Sequence, residues 1–321
     1  MKRIWIGLLI SIFAALELFA IDNNDLSFRI TPRFEFVNGS INEYVFNEAN
    51  DNTDNKESQL DWDLKAIPVF GINADFNLFR YINIGLDGSI GIPVQSGNMQ
   101  DYDWLNYKYW PNDPATQLTN YSIHDNYLLK YLTFSVSGGV NIQIPGNITI
   151  TPKIAYYYEL ISFDGRDGYK TYKQDNWIPE DFSGKVISYM QEMNAMFLGF
   201  SLIFDNIPRT TLYADFKVSP KMTFINAIDY HYVRYEAFWD KMSNSWQFKG
   251  NIEAQYKFNR YNKAGIFGSI QYIPVSKGDT SSNSLNYDET LISEKWELIA
   301  KNGGGTSRLI WSIGLNYSFS L

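Results

Sequence analysis

One pattern constrains this chain more than any other: a two-residue alternation of apolar and small polar side chains, sustained over unusually long stretches. Leu132, Phe134, Val136, Gly138, Val140, Ile142 and Ile144 interleave with Thr133, Ser135, Ser137, Gly139, Asn141 and Gln143. Ile82, Ile84, Leu86, Gly88, Ile90 and Ile92 repeat the pattern, as do Ile148, Ile150, Pro152, Ile154 and Tyr156. The C-terminus reads Leu309, Trp311, Ile313, Leu315, Tyr317, Phe319 and Leu321 on one face, with Ser312, Gly314, Asn316 and Ser318 among the residues on the other. A soluble sandwich alternates too, but its strands usually hold about 5–6 residues, roughly half the length seen here. Long strands with one apolar face suit a wall against lipid. There every backbone group must be paired, and only closure of the sheet removes its edges.

Turn lengths then set a topology. Short polar breaks fall at 77–80, 145–147, 205–208 and 259–262, and long polar segments at 39–57, 97–118, 164–185, 231–245 and 276–306. The two kinds alternate strictly. The spacing predicts an all-β chain: a ten-stranded antiparallel transmembrane β-barrel with five long extracellular loops and four short periplasmic turns. Composition agrees, with 17% aromatic and only 19% charged residues and no long internal apolar run. Met1-Lys2-Arg3, the apolar run from Ile4 to Leu16 and small Ala20 read as a signal peptide over residues 1–20. Residues 21–321 then form a single barrel domain, without an internal boundary. The expected location is the bacterial outer membrane, multi-pass, with the long loops outside.

The same composition excludes several chemistries. There are no cysteines, which removes thiol proteases, disulfide scaffolds and zinc fingers. His124 and His231 are the only histidines, too few for a multi-His metal cage. A net charge of −8 argues against nucleic acid and for a cationic partner.

Two acidic motifs fall near strand ends on the long-loop side. In Gly97-Asn98-Met99-Gln100-Asp101-Tyr102-Asp103-Trp104 an extended backbone points Asp101 and Asp103 to one side. In Ile228-Asp229-Tyr230-His231-Tyr232, Asp229 and His231 share a face by the same rule. Both lie on outward-running strands and are expected to face each other across the barrel mouth. Asp229 would orient the His231 imidazole and leave its other ring nitrogen to take a proton from water. Asp101 and Asp103 would hold that water and share a proton, since like charges so close titrate together. This is a water nucleophile with a general base, suited to amide hydrolysis. Three Asp and one His are also ligand types for a divalent cation. The loop spacing does not follow a calcium site, so hydrolysis without a metal is the preferred reading.

Several segments resemble the omptin family of outer-membrane aspartate/histidine endopeptidases. They are Ser58-Gln59-Leu60-Asp61-Trp62, the 97–104 segment with both acids aligned, Thr116-Gln117-Leu118 with Asn120-Tyr121, Asp229-Tyr230-His231-Tyr232, Lys301-Asn302-Gly303-Gly304-Gly305 and Gly314-Leu315-Asn316-Tyr317-Ser318-Phe319. The resemblance covers nearly the whole mature chain in the correct order. It implies an endopeptidase that cuts exposed peptide segments near basic residues, with Asp101, Asp103, Asp229 and His231 as catalytic residues and no metal or organic cofactor. The implied partners are a cationic peptide or protein substrate and outer-membrane lipid, with the barrel a monomer.

Binding residues carry over unevenly. Glu43 resembles the carboxylate at the floor of the family's pocket for a basic side chain. The second acid of that pocket sits two residues before the catalytic Asp, where this chain has Ala227. A pocket with one carboxylate is expected to relax or alter the preference for basic residues. Met99 and Ile187 resemble residues that line a neighbouring apolar pocket. The family needs lipopolysaccharide for activity and grips its phosphate with an Arg, but Leu160 stands at that place. This leaves open a different lipid, no lipid requirement, or no activity. The family's Trp-Thr-Asp and His-Pro are replaced by Trp110-Pro111-Asn112-Asp113-Pro114. His124 has no counterpart in the family and is expected at a strand end facing water. Two rival classes remain on sequence alone: a non-catalytic adhesin or ligand-binding surface barrel, and a narrow pore with Lys153, Asp215 and Lys217 facing inward.

Overall fold

The computed structural model describes residues 26–47 and 55–320; the segment read as a signal peptide lies outside them. The described chain is almost wholly strand: β1 (Leu26–Phe46), β2 (Lys56–Leu78), β3 (Ile82–Gly91), β4 (Val94–Asp103), β5 (Asn120–Val140), β6 (Ile142–Ile144), β7 (Ile148–Tyr172), β8 (Glu180–Asp181), β9 (Lys185–Ile207), β10 (Thr210–His231), β11 (Glu236–Lys257), β12 (Asn262–Ser284) and β13 (Glu297–Ser320). β3 and β4 are two halves of one wall strand, broken at Ile92-Pro93, and β6 continues β5. β8 is a two-residue addition to β7. Antiparallel pairing runs around the wall, and β1 closes the ring on β13 from Arg29↔Ser320 to Val45↔Gly304. Among the described residues this makes ten wall strands.

The alternation seen in sequence is the wall's two faces. Leu309, Trp311, Ile313 and Leu315 are exposed on the outside, while Ser312, Asn316 and Ser318 are buried in the lumen. Phe134, Ile154, Phe216 and Ile266 extend the outer apolar band. A strand needs about 9–11 residues to cross the hydrocarbon layer, whereas the longest wall strands here reach 23–25 residues. The excess projects on the side of the long connections. On β1 the outward side chains change there from Phe34 and Phe36 to Asn38, Ser40 and Asn42. Two predicted loops are therefore largely wall. Residues 231–245 hold only a short turn before β11 begins at Glu236, and 276–306 is strand to Ser284 and again from Glu297. Above the membrane both faces tolerate polar side chains, so the apolar alternation fades although backbone pairing continues.

The lumen is filled in layers. An apolar layer at mid-height includes Trp62, Ile161, Phe163, Tyr189, Met193, Phe197 and Ile225, all at most 2% exposed. Trp62 stacks between Phe163 and Tyr189, with ring centroids 5.7 and 5.4 Å away. Below it lies a polar cavity of about 540 Å³ whose lining includes Arg29, Asp75, Lys153 and Asp215. Lys153 and Lys217 both reach Asp215, so these three do face inward. Above the apolar layer the interior opens to the mouth that carries the acidic motifs.

Candidate active site

Asp101 and Asp103 reach the mouth because β4 changes parity. Ser96 is buried, and so is Met99, three residues later. Between them Gly97 adopts φ +72°, and the pairing with β5 slips between Gln95 and Asn98. A bulge inserts one residue and turns the following side chains over. Met99, Asp101 and Asp103 therefore point inward while Gln100 and Tyr102 stay outside. Ser58 on β2 pairs with Asp103 in register, and its Oγ donates to Asp101 Oδ1 at 3.3 Å.

Across the mouth, β10 carries Ala227, Asp229 and His231 on its inner face, in register with Gln191, Tyr189 and Ile187 of β9. His231 Nε2 and Asp229 Oδ2 lie 2.5 Å apart, and Asp229 is only 4% exposed. The opposite ring nitrogen, Nδ1, is met by a guanidinium nitrogen of Arg234. A guanidinium donates and has no acceptor, so Nδ1 accepts and the proton belongs on Nε2, facing Asp229. This is the tautomer in which Nδ1 can act as a base.

The two motifs converge electrostatically. Burial raises the Asp101 carboxyl to about 6, Arg234 and the Ser58 hydrogen bond oppose this, and the Asp229 charge adds to it. Burial raises Asp103 further, to about 8, with Asp101 the next contributor; Ser58, Arg234 and His231 pull it down. Asp101 and Asp103 thus titrate as one pair that retains a proton near neutrality. Tyr172, at the end of β7, feels both carboxyls and Arg234.

The other residues singled out from sequence take distinct places. Glu43 is 4% exposed on the inner face of β1, and Trp62 Nε1 donates to it at 3.4 Å. Burial, then Asp229 and Asp240, raise its carboxyl well above the ordinary range. Met99 pairs with Trp62 on one side and His124 on the other. It meets Ile187 over Gly165: a methyl there would lie 2.8 Å from Ile187 Cγ2 and 3.3 Å from Met99 Cε. Met99 and Ile187 therefore form a packed wall beneath the first acidic pair. Leu160 faces outward, between Leu132 and Glu192 in register. His124 corrects the expectation of a water-facing side chain. It is 2% exposed, its Nδ1 donates to the Asp167 carbonyl at 2.5 Å, and its Nε2 lies 3.0 Å from Ser122 Oγ. Burial lowers its basicity. Along β5 the alternation shifts between Leu128 and Lys130, so the even-numbered residues that face outward at Leu132 and Phe134 turn into the lumen at Leu128, Asn126 and His124.

Four residues of the mouth were missed as participants. Ser58 and Trp62 stood in a segment noted only for resemblance. Arg234 had no signal except its place three residues after His231. Asp240 on β11 was missed as well: it pairs directly with Ala227 and is 5% exposed.

Comparison with known proteins agrees with this architecture. A family model described as Omptin family matches residues 26–319. The plasminogen activator of Yersinia pestis is 24% identical over 284 residues, which are 84% of this chain and 86% of that protein. Outer membrane protease OmpP of Escherichia coli (strain K12) is 25% identical over 279 residues, 82% of each chain. The crystal structure of the outer membrane protease OmpT from Escherichia coli superposes with a TM-score of 0.81 at 19% identity, covering 95% of this chain and 99% of that one. The protein is a bacterial outer-membrane β-barrel, and its chain belongs to the omptin family.

Proposed function

We propose that this chain is an outer-membrane endopeptidase that hydrolyses exposed peptide bonds with a water activated by Asp229 and His231 at the extracellular barrel mouth. The observation that carries the reading is the convergence of a proton-sharing carboxyl pair with an Asp-oriented imidazole whose Nδ1 is an acceptor. The names of the relatives, a plasminogen activator and an outer membrane protease, point the same way.

The chemistry follows from these groups. A water held between Nδ1 of His231 and the Asp101/Asp103 pair attacks the scissile carbonyl carbon and loses its proton to Nδ1. Asp229 stabilises the imidazolium that results. The proton retained by the carboxyl pair donates a hydrogen bond to the developing oxyanion. The imidazolium then protonates the leaving amine, and the peptide bond breaks. In the free protein Arg234 occupies the bonding position on Nδ1 that this water needs. A basic substrate entering the acidic mouth displaces it by like-charge repulsion.

Leu160 offers no charge to a lipid phosphate, so activity is expected without added lipopolysaccharide. The apolar layer around Trp62 lies within the lumen and argues against a passive aqueous pore. The test is a peptide-library digest with the refolded barrel, with and without lipopolysaccharide, read by mass spectrometry. Defined cuts made by the wild type and not by Asp229→Asn support the reading. Identical digests from the two proteins would sink it.

A further inference from the structure

The sequence provides one carboxylate for a basic side chain, Glu43, and an alanine where a second would stand. The structure puts a carboxyl back from another strand. Asp240 lies opposite Ala227 in the β10–β11 register and faces the same interior. Its carboxyl reaches across β12 and rests on β13: a methyl on Gly304 would fall 2.1 Å from Asp240 Cγ. Glu43 lies on β1, the next wall strand, and pairs there with Thr306 of β13. A side chain at position 304 would bar the approach, so the Gly303-Gly304-Gly305 run is what admits Asp240 to the Glu43 side of the mouth. Thr280 Oγ1 donates to Asp240 Oδ1 at 2.6 Å and fixes its direction.

A second observation is independent of that placement. Lower in the lumen buried acids have cationic partners: Glu159 has Arg308, Asp75 has Arg29 and Asp215 has Lys153. Among the described residues no lysine or arginine forms an ion pair with Glu43 or Asp240, although both are at least 95% buried. A carboxylate offers about four acceptor positions, and each of these receives one side-chain hydrogen bond. Two buried carboxyls, each with one side-chain hydrogen bond and neither with a cationic partner among the described residues, lie within electrostatic reach of each other and can accept a cation brought from outside the chain.

We infer that Asp240 is the second carboxylate of the substrate pocket, supplied by β11 in place of residue 227, and that with Glu43 it selects a guanidinium or ammonium side chain next to the scissile bond. Asp240 is a specificity-determining residue, and the basic preference that Ala227 argues against is retained by relocation. The carboxyls of Glu43 and Asp240 are both raised by burial in the free protein, Asp240 to about 7. An entering cation would return them to the charged form.

This inference rests on the endopeptidase reading for its biological meaning, but it can be tested by binding alone. The refolded barrel in detergent is titrated with a peptide carrying one central arginine and with its citrulline twin, which keeps the shape and loses the charge. The wild type is expected to bind the arginine peptide at least ~10-fold more tightly, and Asp240→Asn to bring the ratio within about 3-fold. Adding Ala227→Asp to that variant restores a carboxylate to the facing wall and is expected to restore the ratio. Gly304→Ala, which displaces the carboxyl without removing it, gives a second reading should Asp240→Asn fold poorly. A ratio unchanged in Asp240→Asn or Gly304→Ala overturns the assignment. Cleavage is scored separately: charge-selective binding without cleavage by the wild type defeats the endopeptidase reading and leaves Asp240 in place.

Discussion

The two halves of the lumen treat buried charge in opposite ways. In the lower half, Arg29, Arg33, Lys153 and Arg308 each meet a carboxylate. In the upper half, Glu43, Asp101, Asp103 and Asp240 form no ion pair with lysine or arginine among the described residues, and Asp229 is paired only with a histidine. A buried charge is tolerated when its partner is fixed in the same fold, and these four lower cations follow that rule. The upper half departs from it where water and substrate enter. Charges satisfied within the chain serve the wall; charges left over are available to react or bind.

Substitutions can break this contrast. The largest effect is expected in the upper half. Asp229→Asn or His231→Ala should lower peptide turnover by roughly 10⁴-fold, the order seen when an orienting carboxylate is lost from a histidine base. Far-UV circular dichroism and thermal unfolding should stay close to wild type. The converse applies below. Glu159→Leu strands the fully buried Arg308, and should cost about 3–5 kcal/mol in unfolding measurements. Replacing both partners with apolar residues of similar volume should recover most of that loss. Turnover by the folded fraction should be unchanged in each case.

Smaller changes sharpen the comparison. Ser58 and Arg234 both favour the charged forms of Asp101 and Asp103. Removing either raises the folded-state pKa of the pair. Ser58→Ala is therefore expected to move the pair's limb of the kcat/KM–pH profile to higher pH; a shift to lower pH would contradict the assignment of that limb. Arg234→Gln should move it the same way and also free Nδ1. The rate at neutral pH should then rise by about 2- to 3-fold, the value of a weak exposed hydrogen bond. A rate that falls would mean that Arg234 assists the reaction.

The contrast also explains what could be read along the chain. Outer-face residues such as Leu132, Ile154 and Leu315 were legible because lipid accepts only apolar side chains and a strand repeats every two residues. Asp101 with Asp103, and Asp229 with His231, were legible as pairs for the same geometric reason. Above the membrane the rule weakens. Residues 231–245 and 276–306 looked like loops because polar side chains are allowed on both faces of a paired strand in water. His124 was placed wrongly because an irregularity between Leu128 and Lys130 of β5 reverses the parity on which such counting depends.

Sequence alone determined the wall, its closure and the residue types proposed to activate water, since each depends on local periodicity and on chemistry within three residues. Which charges remain unpaired was decided only by the tertiary structure. Arg234 on the imidazole, Trp62 under Glu43 and Asp240 standing in for Ala227 depend on register between strands and on space left by Gly304. Register is a property of neighbouring strands, and no spacing within one segment records it.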